Sequence, residues 1–121
     1  MYEIAFYKDK NGREPVREFI DGLQESAATN KHDRIQAEKI NYYINTLKQY
    51  GIRAGAPVVK HIEGKLWELR PLENRIFFFY WQDNQYLFLH YFVKKTQKTP
   101  QREIEQAKRN MKDFLERSDK K

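Results

Sequence analysis

The residues best suited to chemistry lie between Tyr86 and Lys108, in YLFLHYFVKKTQKTPQREIEQAK. An apolar run carries one histidine, His90, and ends in Lys94, Lys95 and Lys98 before Thr99-Pro100 opens a helix. An imidazole exchanges protons near neutral pH. Lysines at the mouth of a strand, beside a helix start, attract phosphate. A nucleic-acid target is therefore the first chemistry to test. Duller readings stand beside it. His90 also fits a packed core histidine bonded to backbone, and the lysines also fit a blunted strand end or partners for helix carbonyls. His61 reads as polar filler and His32 as part of a helix start. The chain has no HxH, no HExxH and no carboxylate cluster, so no metal site is expected. It also lacks a Gly-rich phosphate loop, a GxSxG elbow, a dinucleotide fingerprint and an obvious carboxylate pair for hydrolysis.

Bulk composition narrows the setting. The 121 residues suit one domain with its own core, spanning 1–121. Eighteen aromatic residues, eight Phe, eight Tyr and two Trp, argue against disorder. No apolar run is long enough to cross a membrane, and MYEIAFYKDK lacks the basic and apolar regions of a signal peptide. The absence of cysteine excludes thiol and disulfide chemistry and fits a cytoplasmic location. The net charge is +6, and from Lys94 to Lys121 ten Lys/Arg face five Asp/Glu. That surplus suits either a phosphate-binding surface or an ordinary solvated helix.

Several elements must position these groups. YEIAFY (2–7) reads as a strand. Pro15 fits the first position of a helix whose stripe is Val16, Phe19, Ile20 and Leu23. A second helix starts near Thr29 or Asn30 and runs to Tyr50, with Ala37, Ile40, Ile44 and Leu47 inward and Gly51 at its end. The period then changes to that of strands, over 58–63, 65–70, 75–81 and 85–93. Gly64, Pro71–Asn74 and Gln82–Asn84 supply short turns, which make an antiparallel meander. Thr99 is the expected N-cap of a last helix with Pro100 in its first turn, and Ile104, Ala107, Met111, Phe114 and Leu115 are its stripe. The tail ERSDKK is expected to fray. The predicted order, β-α-α-β-β-β-β-α, is an α+β domain with helices packed on a twisted sheet.

Strict alternation predicts two faces. One holds Trp67, Leu69, Ile76, Phe78, Leu87, Leu89 and Val93 as a core under helices. The other holds Glu68, Arg70, Arg75, His90 and Lys94 among aromatics. Cations interleaved with aromatic rings suit single-stranded nucleic acid, because rings stack on bases while cations take phosphates. The alternative is a second, smaller apolar layer beneath the last helix, with the arginines paired to Glu68 or Glu73.

The run GKLWELRPLENRIFFFYWQDNQYLFLHYFVKKTQKTPQREIEQAKRNMKDFL resembles the RelE/HigB toxin superfamily, and most of all its phage-derived HigB-like branch. LWELRP, the Arg that opens an aromatic strand, and LHYFVKKTQKTPQREIEQA carry the resemblance, which extends more loosely to the first strand and the helical hairpin. It implies a RelE-like fold: N-terminal strand, helical hairpin, antiparallel sheet of about four further strands, and C-terminal helix. It also implies the toxin of a type II toxin–antitoxin pair, an endoribonuclease that cuts mRNA on the 70S ribosome. No cofactor or metal is implied. The 2′-OH attacks the adjacent phosphorus and leaves a 2′,3′-cyclic phosphate and a free 5′-OH. The implied partner is a helix-turn-helix antitoxin, through which alone operator DNA is bound. By the same resemblance Arg70 and Arg75 grip the phosphate and Lys94 and Lys95 stabilise charge or donate a proton. Lys65, Lys98 and Arg102 would contact RNA. His90, with an ordinary pKa of ~6.5, is the acid–base candidate. Tyrosine serves in some relatives, which brings in Tyr91 and Tyr80. Two other functions fit the same scaffold: a ParE-like inhibitor of DNA gyrase without RNase activity, and a non-catalytic RNA-binding regulator.

Overall fold

The computed structural model describes residues 1–119. A strand β1 (Glu3–Phe6) is followed by helices α1 (Pro15–Ser26) and α2 (Lys31–Tyr50) and a single 3-10 turn (Gly51–Ala54). Four strands follow, β2 (Val59–Glu63), β3 (Leu66–Leu69), β4 (Asn74–Tyr80) and β5 (Gln85–Val93), and the chain closes with α3 (Gln101–Asp119). This is the expected α+β order. The sheet runs β1-β5-β4-β3-β2. β2 to β5 form an antiparallel meander, while β1 joins β5 in parallel, so the sheet is mixed. None of the described helices is long and apolar enough to cross a membrane.

Local chemistry sets the helix ends. Pro15 occupies the first turn of α1, where its missing N–H has no intrahelical partner to lose. Asn30 caps α2 by accepting the Asp33 amide at 3.0 Å. The last helix differs from expectation. Thr99 does not cap α3; its hydroxyl donates to Glu68 Oε2 at 3.0 Å. The Pro100 carbonyl instead receives the amides of Glu103 and Ile104. Residues Glu116–Asp119 of the tail continue the helix; Lys120 and Lys121 lie outside the described residues.

The two faces of the sheet each carry a core. α1 and α2 cover Val59, Leu69, Ile76, Phe78, Tyr86 and Phe88. α3 covers Leu66, Phe77, Phe79, Leu87, Leu89 and Phe92. Each fully buried Phe contributes ~1.5–3 kcal/mol from burial alone, so Phe77, Phe78, Phe79 and Phe88 anchor both layers. The predicted face assignment fails in β5. Phe77 pairs with His90 but Phe78 pairs with Phe88, so Leu89 is an extra residue. A bulge of this kind reverses the side-chain parity beyond it. Leu87 and Leu89 therefore share the α3 side with His90 and Phe92, opposite to Ile76 and Phe78. Val93, expected in the core, is 48% exposed. The face expected to hold cations among aromatics is closed by α3 over a second apolar layer, and only its margins reach solvent.

Candidate functional site

An antiparallel meander brings the C-terminal ends of β3 and β5 and the start of β4 to one end of the sheet. Arg70, Arg75 and Lys94 gather there. The backbone is tied at each point. Arg70 N donates to Val58 O at 2.9 Å, Asn74 N to Pro71 O at 3.0 Å and Lys94 N to Glu73 O at 2.7 Å. Asn74, itself buried, donates Nδ2 to Gln36 Oε1 at 2.6 Å, which fastens the β3–β4 turn to α2. Leu72, in that turn, has φ +58°, a left-handed conformation that a branched side chain adopts only at a cost.

Glu68 is the hub of this end. It is 1% exposed. Its Oε1 lies 3.5 Å from Arg70 Nε and 3.7 Å from Arg75 Nε. Its Oε2 accepts from Thr99, which anchors the loop before α3. One buried carboxylate thus serves two guanidinium groups, and neither Nε finds a hydrogen-bond partner among the described residues. Arg75 is 7% exposed and spends Nη1 on the carbonyls of Leu72, at 2.6 Å, and Asn74, at 2.9 Å. Burial, and then the charge of Arg70, pull the Arg75 guanidinium below its ordinary pKa. Burial, followed by Arg75 and Arg70, also pulls the Lys94 ammonium down. A guanidinium stays charged in a protein; burial is the larger cause of both shifts, and repulsion among the neighbouring cations adds to it. An anion placed here would relieve that repulsion.

His90 lies across the sheet from Glu68. The directly paired residues Lys60, Glu68, Phe77 and His90 cross four strands in one row. Arg75 and His90 sit on neighbouring strands, two residues out of direct register, a diagonal of roughly 7–8 Å between backbones. The imidazole lies parallel to the Phe77 ring, with centroids 6.0 Å apart. Its Nε2 meets Glu103 Oε1, from the first turn of α3, at 2.7 Å. This pair, partly exposed, opens into a cleft of about 720 Å³ between α3 and the β1–α1 loop.

The other expected site residues divide by position. Lys95 and Arg102 line a smaller hollow of about 400 Å³ on the other side of Glu103. The Arg102 side chain is 82% exposed, with Nε 3.7 Å from Glu103 Oε2. Lys98 is exposed in the loop between them, its carbonyl accepting from Thr96. Lys65 does not join this group. It stands at the opposite end of β3, in a hollow with Trp67, Tyr80 and Trp81. Tyr80 lies there too, whereas Tyr91 borders the His90 cleft and stacks on Phe19 at 4.1 Å. Glu103 and Thr99 are the members of the site that the sequence does not reveal. Glu68 is legible in part, since the sequence sets it on one face with Arg70 and Arg75 and offers it as their partner, and the structure places it 3.5 and 3.7 Å from their Nε atoms.

A family model described as Phage derived protein Gp49-like (DUF891) matches residues 27–112, well over half of the chain. The protein belongs to the Gp49-like family. This family is associated with toxins of the RelE/HigB type, and membership supports a toxin–antitoxin toxin in general, with an antitoxin as its class of partner. No curated protein matches the chain. The matched region of this Gp49-like protein spans α2, β2 to β5 and most of α3, and so contains Glu68, Arg70, Arg75, His90, Lys94 and Glu103.

Proposed function

We propose that this Gp49-like protein is a toxin that cleaves mRNA on the ribosome by metal-free attack of a 2′-OH on the adjacent phosphorus. It would act in the cytoplasm and be silenced by a helix-turn-helix antitoxin. The observation that carries this reading is the His90–Glu103 pair at 2.7 Å, open to a cleft and one diagonal step from the crowded cations around Glu68. In the forward step an acid–base group takes the 2′-OH proton, the O2′–P bond forms and the P–O5′ bond breaks. The 5′-oxygen takes up a proton as it departs. Cleavage leaves a 2′,3′-cyclic phosphate and a free 5′-OH.

Each part of that step has a named candidate. His90 moves the proton, and Glu103 holds the imidazole in one orientation. Arg70 and Lys94, both partly exposed, meet the phosphate oxygens as charge develops on the phosphorane. Arg75 is buried and shapes the turn that presents Arg70, contributing charge from beneath. Lys95, Lys98 and Arg102 line the approach and hold flanking phosphates.

The test is to express wild type, His90→Ala and Arg70→Ala during active translation and map mRNA ends. Cuts with 2′,3′-cyclic phosphates in wild type, and their loss in both variants, support the reading. Equal cutting by all three would sink the assigned site. Growth arrest without cuts, together with gyrase trapped on plasmid DNA, would favour the gyrase-inhibitor alternative.

A further inference from the structure

One wall of the His90 cleft is organised for a purpose that proton and phosphate chemistry leave open. Asn110 Nδ2 donates to the Leu89 carbonyl at 2.8 Å, Gln106 Nε2 to Asn110 Oδ1 at 2.9 Å and Arg109 Nη2 to Gln106 Oε1 at 2.7 Å. The ladder starts on the bulge residue next to His90 and ends in a guanidinium at the lip of the cleft. Arg13, Arg17, Arg102 and Arg117 each face a carboxylate. Arg109 has no carboxylate partner among the described residues. It is an exposed cation held through Nη2 by the neutral Gln106 amide, and the N–H groups of its other guanidinium nitrogens have no partner among the described residues.

The facing wall is also set in advance. In the β1–α1 loop Asp9 Oδ1 accepts the amides of Asn11 at 2.9 Å and Arg13 at 3.0 Å. Asp9 and Asn11 border the cleft opposite α3, and Tyr91 borders it as well. Three carboxylates, Asp9, Glu103 and Asp113, line the cleft with two cations, Lys10 and Arg109, in contrast to the cationic end of the sheet, so the cleft suits a hydrogen-bonding base better than a phosphate. Its volume of about 720 Å³ admits a purine.

We infer that this cleft takes the nucleobase beside the scissile phosphate and that Arg109 selects guanine. Guanine presents two adjacent acceptors, O6 and N7, which one guanidinium fork contacts together. Its N1–H and N2–H groups are donors, which suit a carboxylate such as Asp9 on the other wall. Adenine sets a donor beside N7 and would oppose the fork with an N–H. The inference rests on the endonuclease reading for its role in cleavage, but not for binding itself.

Two measurements test it. The first maps mRNA ends for wild type, Arg109→Ala and Arg109→Lys and takes the ratio of cuts beside guanine to cuts beside adenine within each sample. This internal ratio is independent of total rate and of expression level. A guanine excess in wild type, falling about tenfold in Arg109→Ala and partly kept in Arg109→Lys, supports the inference. The second titrates guanosine 3′-monophosphate and adenosine 3′-monophosphate into wild type and Arg109→Ala by NMR. Preference for the guanosine nucleotide in wild type alone supports it; equal binding of the two by wild type overturns it, as does an unchanged cutting ratio in Arg109→Ala. Selective guanosine binding through Arg109 without any RNA cutting would leave this site standing while the endonuclease reading fell.

Discussion

His90 on β5 and Glu103 on α3 share a hydrogen bond of 2.7 Å that joins the sheet to the first turn of the last helix. The bond fixes the imidazole plane against Phe77 and leaves its other nitrogen for chemistry. Glu103→Gln keeps the shape but removes the charge. We predict that this variant folds normally and cuts mRNA about tenfold more slowly, while His90→Ala loses ~10²–10⁴-fold. Single-turnover cleavage on programmed ribosomes measures both. Equal rates for Glu103→Gln and wild type would remove Glu103 from the site.

Glu68 holds Arg70, Arg75 and Thr99 together from a fully buried position. Its removal leaves two neighbouring guanidinium groups facing each other without an anion. Glu68→Ala should lower stability by about 3 kcal/mol, measured by urea denaturation. Because the loss comes from unpaired cations, added sulfate or phosphate should restore more stability to this variant than to wild type.

Tyr7 donates to Asp113 Oδ2 at 2.5 Å, and Arg117 bonds both that carboxylate and the Lys8 carbonyl. The three groups clamp the C-terminal half of α3 to the residues that follow β1. Burial, and then the bond to Asp113, push the Tyr7 phenol from 10.0 up to about 12. Between these values the folded protein keeps a proton that the unfolded chain releases. The stability contribution is therefore complete below pH 10 and is lost as the pH rises toward 12. Tyr7→Phe should flatten that alkaline decline and lower stability near neutrality by about 1 kcal/mol. Denaturation midpoints across the alkaline range measure both effects.

Asp113 contributes at the other end of the scale. The Tyr7 hydroxyl, chiefly, holds its carboxyl below 3.8. That contribution is present above the ordinary carboxylate range and is lost as the pH falls through the folded value. Asp113→Asn should therefore weaken the acid-side decline of stability, and comparison with Tyr7→Phe by acid titration should show the two losses overlapping instead of adding.

Gly51 ends α2 with φ +64°, and a Cβ there would meet Tyr2 Cε2 and Tyr86 Oη at 2.8 Å. Gly51→Ala combines an unfavourable backbone region with a clash against two packed rings. A loss of about 2–4 kcal/mol is expected, measured by thermal unfolding. Gly64, with φ +52° but open space around its Cα, should lose only the backbone part, ~1 kcal/mol.

Much of the fold is written in local chemistry. Pro15, Asn30, Gly51 and the turn residues around Gly64, Pro71 and Asn84 act within a few residues of themselves, so the element order and most boundaries follow from spacing alone. The cation-rich end of the sheet is legible too, because a meander with short turns must bring Arg70, Arg75 and Lys94 to the same end. Face assignment is less local. A single extra residue at Leu89 moves Leu87 and Leu89 to the α3 side, and nothing in QYLFLHYFV marks where the pleat slips. The partners of the chemical groups are the least legible. Glu103 reaches His90, and Thr99 reaches Glu68, only because α3 folds back over the sheet. Sequence periodicity reports which side of an element is apolar. It carries no information on which polar group of another element will stand opposite. That pairing is decided when two apolar faces close, since each buried charge must then find its counterpart within hydrogen-bond distance.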